Sequence, residues 1–198
     1  MITNLEHLLI FAGIAVAAWC FFTYFYPRLL LSVYKRSLLN GFGEGPVPVN
    51  TLYMAPQAQF ANPLNPQSNV RSRVATSGVN RDTLITMGWL DLREGPLFLN
   101  VPEMKDRYYS VQFTDPSKNT NFAYVGTRTT GSKAGDYLIT GRGWKGEVPQ
   151  GMTQISSPTN EVLLVGRVLV ASDRDLPTAY GLAKQIQLSP VSKIKSGS

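Results

Sequence analysis

Three arginines sit where chemistry could be built. Arg81 stands between Asn80 and Asp82 just ahead of the apolar run Thr83–Leu92. An Arg beside an Asp at such a point can bind a carboxylate or hold a general acid or base. It can equally be structural, with Asn80 and Asp82 satisfying turn amides and Arg81 paired to a nearby acid. Arg128 lies in Gly126-Thr127-Arg128-Thr129-Thr130-Gly131. Glycines and hydroxyls there suit an anion nest with a forked Arg, or a rigid turn with Arg128 in an ion pair. Lys133 is not in a Gly-Lys-Ser/Thr setting, so no Walker loop follows. Arg167 interrupts the apolar run VLLVGRVLV. Strict alternation puts it on one face with Leu163, Val165 and Leu169. If that face is the core, the charge needs a mate, with Asp82, Asp91 and Asp115 as candidates. These readings make Asn80, Arg81, Asp82, Arg128 and Arg167 the ligand-binding candidates.

Other chemistries lack their residues. The one histidine is His7 and the one cysteine is Cys20, both near the N-terminus. Beyond residue 20, Ser-His-Asp, Cys-His, zinc and His- or Cys-ligated haem sites cannot be assembled from this chain. Calcium needs only oxygen ligands, but no EF-hand spacing occurs. Glu103 and Asp106 are close in sequence in a Pro-turn setting, which suits a solvated loop better than a glycosidase pair. The expectation is no cofactor, no metal and no catalytic residue. The chain has 19 basic and 13 acidic residues, and beyond residue 40 the basic ones are scattered singly. Nucleic-acid binding needs a clustered positive face, so none is expected.

The elements that position these residues follow from the hydropathy pattern. Leu8–Tyr26 is 19 residues long and carries no charge. At 1.5 Å per residue such a helix nearly spans a hydrocarbon core about 30 Å thick. Trp19, Tyr24 and Tyr26 suit the interfacial belt. No basic n-region or cleavage site marks a signal peptide. Pro27 closes the run, and Leu29–Leu39 follows with Arg28, Lys35 and Arg36 between leucines. That stretch is an interfacial helix, a surface for a partner helix, or a stalk continuing the span. Trp19, Phe22, Tyr26, Leu30 and Tyr34 here, with Trp89 and Trp144 further on, are the interface candidates.

The expected plan has four parts. Residues 1–40 hold the transmembrane and membrane-proximal helices. Residues 41–72 are a Pro/Gly/Asn-rich linker or wrapping arm. Residues 73–190 form a mainly β domain, an antiparallel sandwich or barrel-like fold with one C-terminal helix. Residues 191–198 are a polar tail. Leu84, Thr86 and Gly88 share one strand face, as do Tyr109, Val111 and Phe113. Near the C-terminus Asp175 caps a helix with Pro177 in its first turn.

The segment GVNRDTL at 78–84 resembles the opening signature of a bacterial family, domain of unknown function 1254. The likeness continues in order through DLREGPLFLNVP at 91–102, RYYSVQFTD at 107–115 and GTRTTG at 126–131. GDYLITGRGWKG at 135–146 and SPTNEVLLVGR at 157–167 complete it. Ile85 and Leu163 depart from the family's usual aromatics, which weighs against a ligand at those positions.

The resemblance implies a β-rich domain that usually precedes a second one. It carries no established reaction. It also implies export or membrane anchoring, hence a periplasmic domain on the bacterial inner membrane. The positive-inside rule points the other way, because Arg28, Lys35 and Arg36 follow the span and no Lys or Arg precedes it.

Two functions are therefore expected. The first is a non-enzymatic, membrane-anchored accessory or assembly subunit of an envelope complex. Its partners would be lipid and other subunits, including a separate chain that supplies the family's second domain. The other is an Arg/Asp-based domain or enzyme for a small anionic ligand.

Overall fold

The computed structural model describes residues 4–43, 45–54, 56 and 82–191. The chain divides into two compact units, Met1–Ser37 and Leu38–Ser198. The first is formed by a single helix, α1, which as a whole runs Asn4–Leu39. It continues through Pro27 rather than stopping there. A proline inside a helix removes one backbone bond, here the one to the Thr23 carbonyl. The flanking leucines, good helix formers, carry the helix on. The Leu29–Leu39 stretch is thus the same helix as the apolar run. At 36 residues it is about 54 Å long. It is long and apolar enough to cross a membrane. The helix ends just before Gly41, whose φ of 53° suits glycine.

The second unit is mainly β. Its strands are β1 (Tyr53–Met54), β2 (Thr83–Asp91), β3 (Leu97–Val101), β4 (Tyr109–Asp115) and β5 (Thr120–Gly126). They continue with β6 (Gly135–Thr140), β7 (Thr153–Ser156), β8 (Glu161–Leu169) and β9 (Gln187–Pro190). A five-stranded antiparallel sheet has the order β1-β2-β8-β4-β5. A four-stranded sheet has the order β7-β6-β3-β9, and its β6–β7 pair is parallel. The expected antiparallel architecture therefore holds for one sheet, and the other is mixed. Among the described residues both sheets keep free edges, so the domain is an open two-sheet structure and not a closed barrel.

Alternation sets the core. In β8 the residues Val162, Leu164, Gly166 and Val168 are buried, and those between them are half-buried. They lie in register with Leu90, Gly88, Thr86 and Leu84 of β2. Tyr109, Val111 and Phe113 of β4 continue the same layer. Leu97, Leu99 and Val101 of β3 and Ile139 of β6 supply the other sheet's share of one core cluster. Each such apolar side chain contributes roughly 1.5–3 kcal/mol.

Helix α2 (Leu176–Gln185) adds Leu176, Ala179 and Ala183 to that core, and it packs against β2 and β8. Pro stands in its first turn as expected, but the Asp175 carboxylate makes no capping bond.

The beginning of the arm lies along β2. Asn50 donates its backbone N–H to the Trp89 carbonyl and bridges both backbone groups of Asp91 through its side chain. β1 then pairs Tyr53 with Met87. The approach is so close that a Cβ on Gly88 would stand 2.9 Å from the Thr51 carbonyl.

Candidate functional site

Asn80 and Arg81 lie outside the described residues. Asp82 is exposed immediately before β2, and its backbone carbonyl accepts the Val170 N–H at 2.7 Å. Arg167 is half-buried on the outer face of the five-stranded sheet, in register with Ile85 on one side and Ser110 on the other. It does share that face with Leu163, Val165 and Leu169, but the core is the opposite face. No buried mate is therefore required. Among the described residues it has no ion pair with Asp82, Asp91 or Asp115. Asp91 pairs with Arg93 at 3.2 Å, while one Asp115 oxygen accepts the Ser117 N–H and hydroxyl.

Arg128 is exposed in the turn after β5, its guanidinium carbon 5.4 Å from the centre of the Tyr108 ring. The anion nest is not formed. The Gly126 carbonyl accepts the N–H groups of Thr129, Thr130 and Gly131 at 2.9, 2.9 and 3.2 Å. The Thr127 N–H goes to the Tyr109 carbonyl. The turn's donors point into the turn, so it is rigid and closed to an anion at these amides.

Topology still gathers charge at one end of the five-stranded sheet. The start of β2, the end of β8, the start of β4 and the end of β5 meet there, as Leu169 N–H donating to the Tyr108 carbonyl shows. Asp82, Arg167 and Arg128 belong to that end. No hydrogen bond or ion pair joins them to one another among the described residues.

The best-built polar arrangement at this end was not among the candidates. Arg107 and Asp175 form a two-pronged pair, with side chains only 15% and 19% exposed. Arg107 also donates to the Leu169 carbonyl at 2.6 Å, and Asp175 accepts the Ala171 N–H at 2.9 Å. The Arg107 guanidinium holds the Asp175 carboxyl down at about 2, with help from the Ala171 amide and against the opposing effect of burial. The same hydrogen bond raises Arg107. The pair joins the β3–β4 connection to the α2 entry, a structural task. Next to it Tyr109 is buried, which pushes its phenol up and keeps it protonated to donate to the Gly131 carbonyl.

The aromatic interface candidates separate into two sets. Trp19, Phe22, Tyr26 and Leu30 are exposed on α1, at 71%, 57%, 44% and 49%, and Tyr34 is half-buried. In the domain, Trp89 is 2% exposed and donates to Glu161, so it presents almost no surface. Trp144 is half-buried, folded over Gly146, where a Cβ would meet its ring at 2.3 Å. Tyr124, a residue outside the candidates, is 45% exposed on the outer sheet face. No group of three or more His, Cys, Asp or Glu residues suited to a metal occurs among the described residues.

The family model described as "Protein of unknown function (DUF1254)" matches residues 52–190. The chain belongs to this family. The crystal structure of the VPA0106 protein from Vibrio parahaemolyticus is similar at 30% sequence identity, with a TM-score of 0.56, over 61% of this chain and 30% of that one. An uncharacterised protein from Burkholderia cenocepacia is similar at 12% identity, with a TM-score of 0.41, over 71% and 34% of the respective chains. The alignments thus span about a third of the length of these solved relatives. No curated protein matches. Ile85 and Leu163 both fall on the outer face that carries Arg167.

Proposed function

We propose that this chain is a non-enzymatic accessory or assembly subunit of a bacterial envelope complex. α1 crosses the inner membrane once, and the β domain recruits or stabilises partner subunits. One observation carries the reading. α1 exposes a continuous apolar and aromatic surface, including Leu9, Phe11, Ile14, Trp19 and Phe22, each between 57% and 71% exposed. So much exposed apolar area along one helix calls for lipid or partner helices around it. The dispersed candidates support the non-enzymatic part. Among the described residues Asp82, Arg128 and Arg167 converge on no shared contact, and the mostly buried Arg107–Asp175 pair serves packing. The family resemblance to exported proteins supports a periplasmic domain, while the three basic residues after the span oppose it.

Alkaline carbonate washing of membranes tests the anchor. Retention in the pellet is expected, and release into the supernatant contradicts it.

A second reading is favoured by Arg128 and Arg167, which meet no carboxylate among the described residues at their end of the sheet. A small anion bound there would be lost in Arg167→Gln. Calorimetry showing no anion binding to the wild type removes this reading.

A further inference from the structure

Arg28 holds its charge on the apolar side of its own position. A helical side chain leans toward the helix N-terminus. Here the lean carries the guanidinium back over Tyr24, four residues and about 6 Å toward the uncharged run. Its central carbon stands 3.7 Å from the Tyr24 ring centre, and Nη1 donates to the Tyr24 carbonyl at 2.7 Å. Those contacts use the ring face and one of five N–H donors. Arginine cannot shed its proton in such a place. At the edge of an uncharged run, a fixed positive charge attracts an anion such as a lipid phosphate. Residues 7–43 contain no Asp or Glu, and Arg28 makes no ion pair among the described residues. The helix cannot supply the anion itself.

Beside Arg28 runs an apolar groove lined by Phe21, Phe22, Phe25, Tyr26 and Leu29, with Ser32 at its far end. Its walls are ordered by ring contacts. Phe22 and Tyr26 stack at 4.6 Å between centres, and Phe21 and Phe25 meet at 4.5 Å. Phe21 to Leu29 covers about 12 Å of helix, room for part of an extended hydrocarbon chain. An apolar trough with one unneutralised cation at its rim is complementary to a molecule with a hydrocarbon tail and an anionic head.

We propose that this groove and Arg28 form a binding site for an anionic phospholipid. The phosphate pairs with the Arg28 guanidinium, and an acyl chain lies between the Phe22–Tyr26 and Phe21–Phe25 ridges. The inference rests on α1 being a membrane span, and adds to it a specific lipid at a specific depth. The basic residues further along, Lys35 and Arg36, are two and more turns away and are not part of this site.

The test uses the full chain, delipidated in mild detergent and mixed with phosphatidylglycerol or phosphatidylcholine of identical acyl chains. Native mass spectrometry counts retained lipids. The wild type retains the anionic lipid about fivefold over the zwitterionic one, the preference expected of one Arg near headgroups. Arg28→Gln brings the ratio to about one, whereas Arg36→Gln keeps it. Equal retention of the two lipids by the wild type overturns the site, as does a preference that survives Arg28→Gln. Carbonate washing separates the two claims. Protein retained in the pellet without lipid preference overturns the lipid site alone, and release of the wild type overturns both.

Discussion

Arg107 and Asp175 are 68 residues apart in sequence, yet Nη1 and Nη2 of the one lie 2.5 and 2.6 Å from Oδ2 and Oδ1 of the other. The two N–H groups of a planar fork meet the two oxygens of a carboxylate, the geometry that distinguishes Arg from Lys. Around them, the Leu169 carbonyl and the Ala171 N–H complete a junction of β4, β8 and α2. The charge is well placed but not fully answered, because Arg107 Nε is buried without a partner.

Asp175→Asn leaves Arg107 charged in a mostly buried place and should destabilise the domain by about 3 kcal/mol. Arg107→Lys keeps the charge and loses the fork, so a smaller loss of about 1–2 kcal/mol is expected. Denaturant unfolding of the full chain in detergent, read by near-ultraviolet circular dichroism, measures both.

The same pair sets an acid limit. The Asp175 carboxyl sits at about 2 in the folded chain against 3.8 in its reference state. A depressed carboxyl stabilises fully above the unfolded value, and that stabilisation disappears as pH falls through the folded one. From pH 4 down to pH 2 the wild type should therefore lose about 2 kcal/mol through this group. Asp175→Asn lacks that part of the slope. Stability measured against pH for the two proteins should converge toward pH 2.

Gly126 closes the turn that holds Arg128. A Cβ there would stand 2.5 Å from the Tyr109 carbonyl and 2.9 Å from the Ser110 Cα, both backbone atoms that cannot swing aside. Gly126→Ala should cost about 1–3 kcal/mol by forcing β4 and β5 apart. At Gly143, where nothing lies within 4 Å but φ is +75°, alanine should cost only the left-handed strain, about 1 kcal/mol. A thermal melt that ranks Gly143→Ala as the more damaging change would contradict this reading of the turn.

Much of the fold was legible because short-range periodicity carries it. Leu97–Val101 is a strand as its pattern demands, and Tyr109, Val111 and Phe113 share the buried face. The long helix was legible from an uncharged run, although Pro27 suggested a break that the leucines after it override. β1, β7 and β9 are two to four residues long. Segments so short have no period to read, and pairing with a neighbour defines them.

Arg167 shows the limit for sites. Alternation named its face-mates correctly, but which face meets the core depends on the strands of both sheets. Asp175 shows another limit. Its place before a helix suggests a cap, and only the fold reveals that Arg107 competes for the carboxylate and wins, since a charged fork binds more strongly than a backbone amide. Asp175 itself was legible as the residue before a helix, whereas Arg107 offered no local signal.

The accessory-subunit reading is tested most directly by the mass of the native particle. The chain is extracted from its own membranes at natural abundance in mild detergent, and its protein mass is measured by light scattering corrected for detergent and lipid. The account predicts a particle well above the 21.8 kDa of one chain, containing a second polypeptide in fixed ratio. A monodisperse particle of one chain's mass would contradict it.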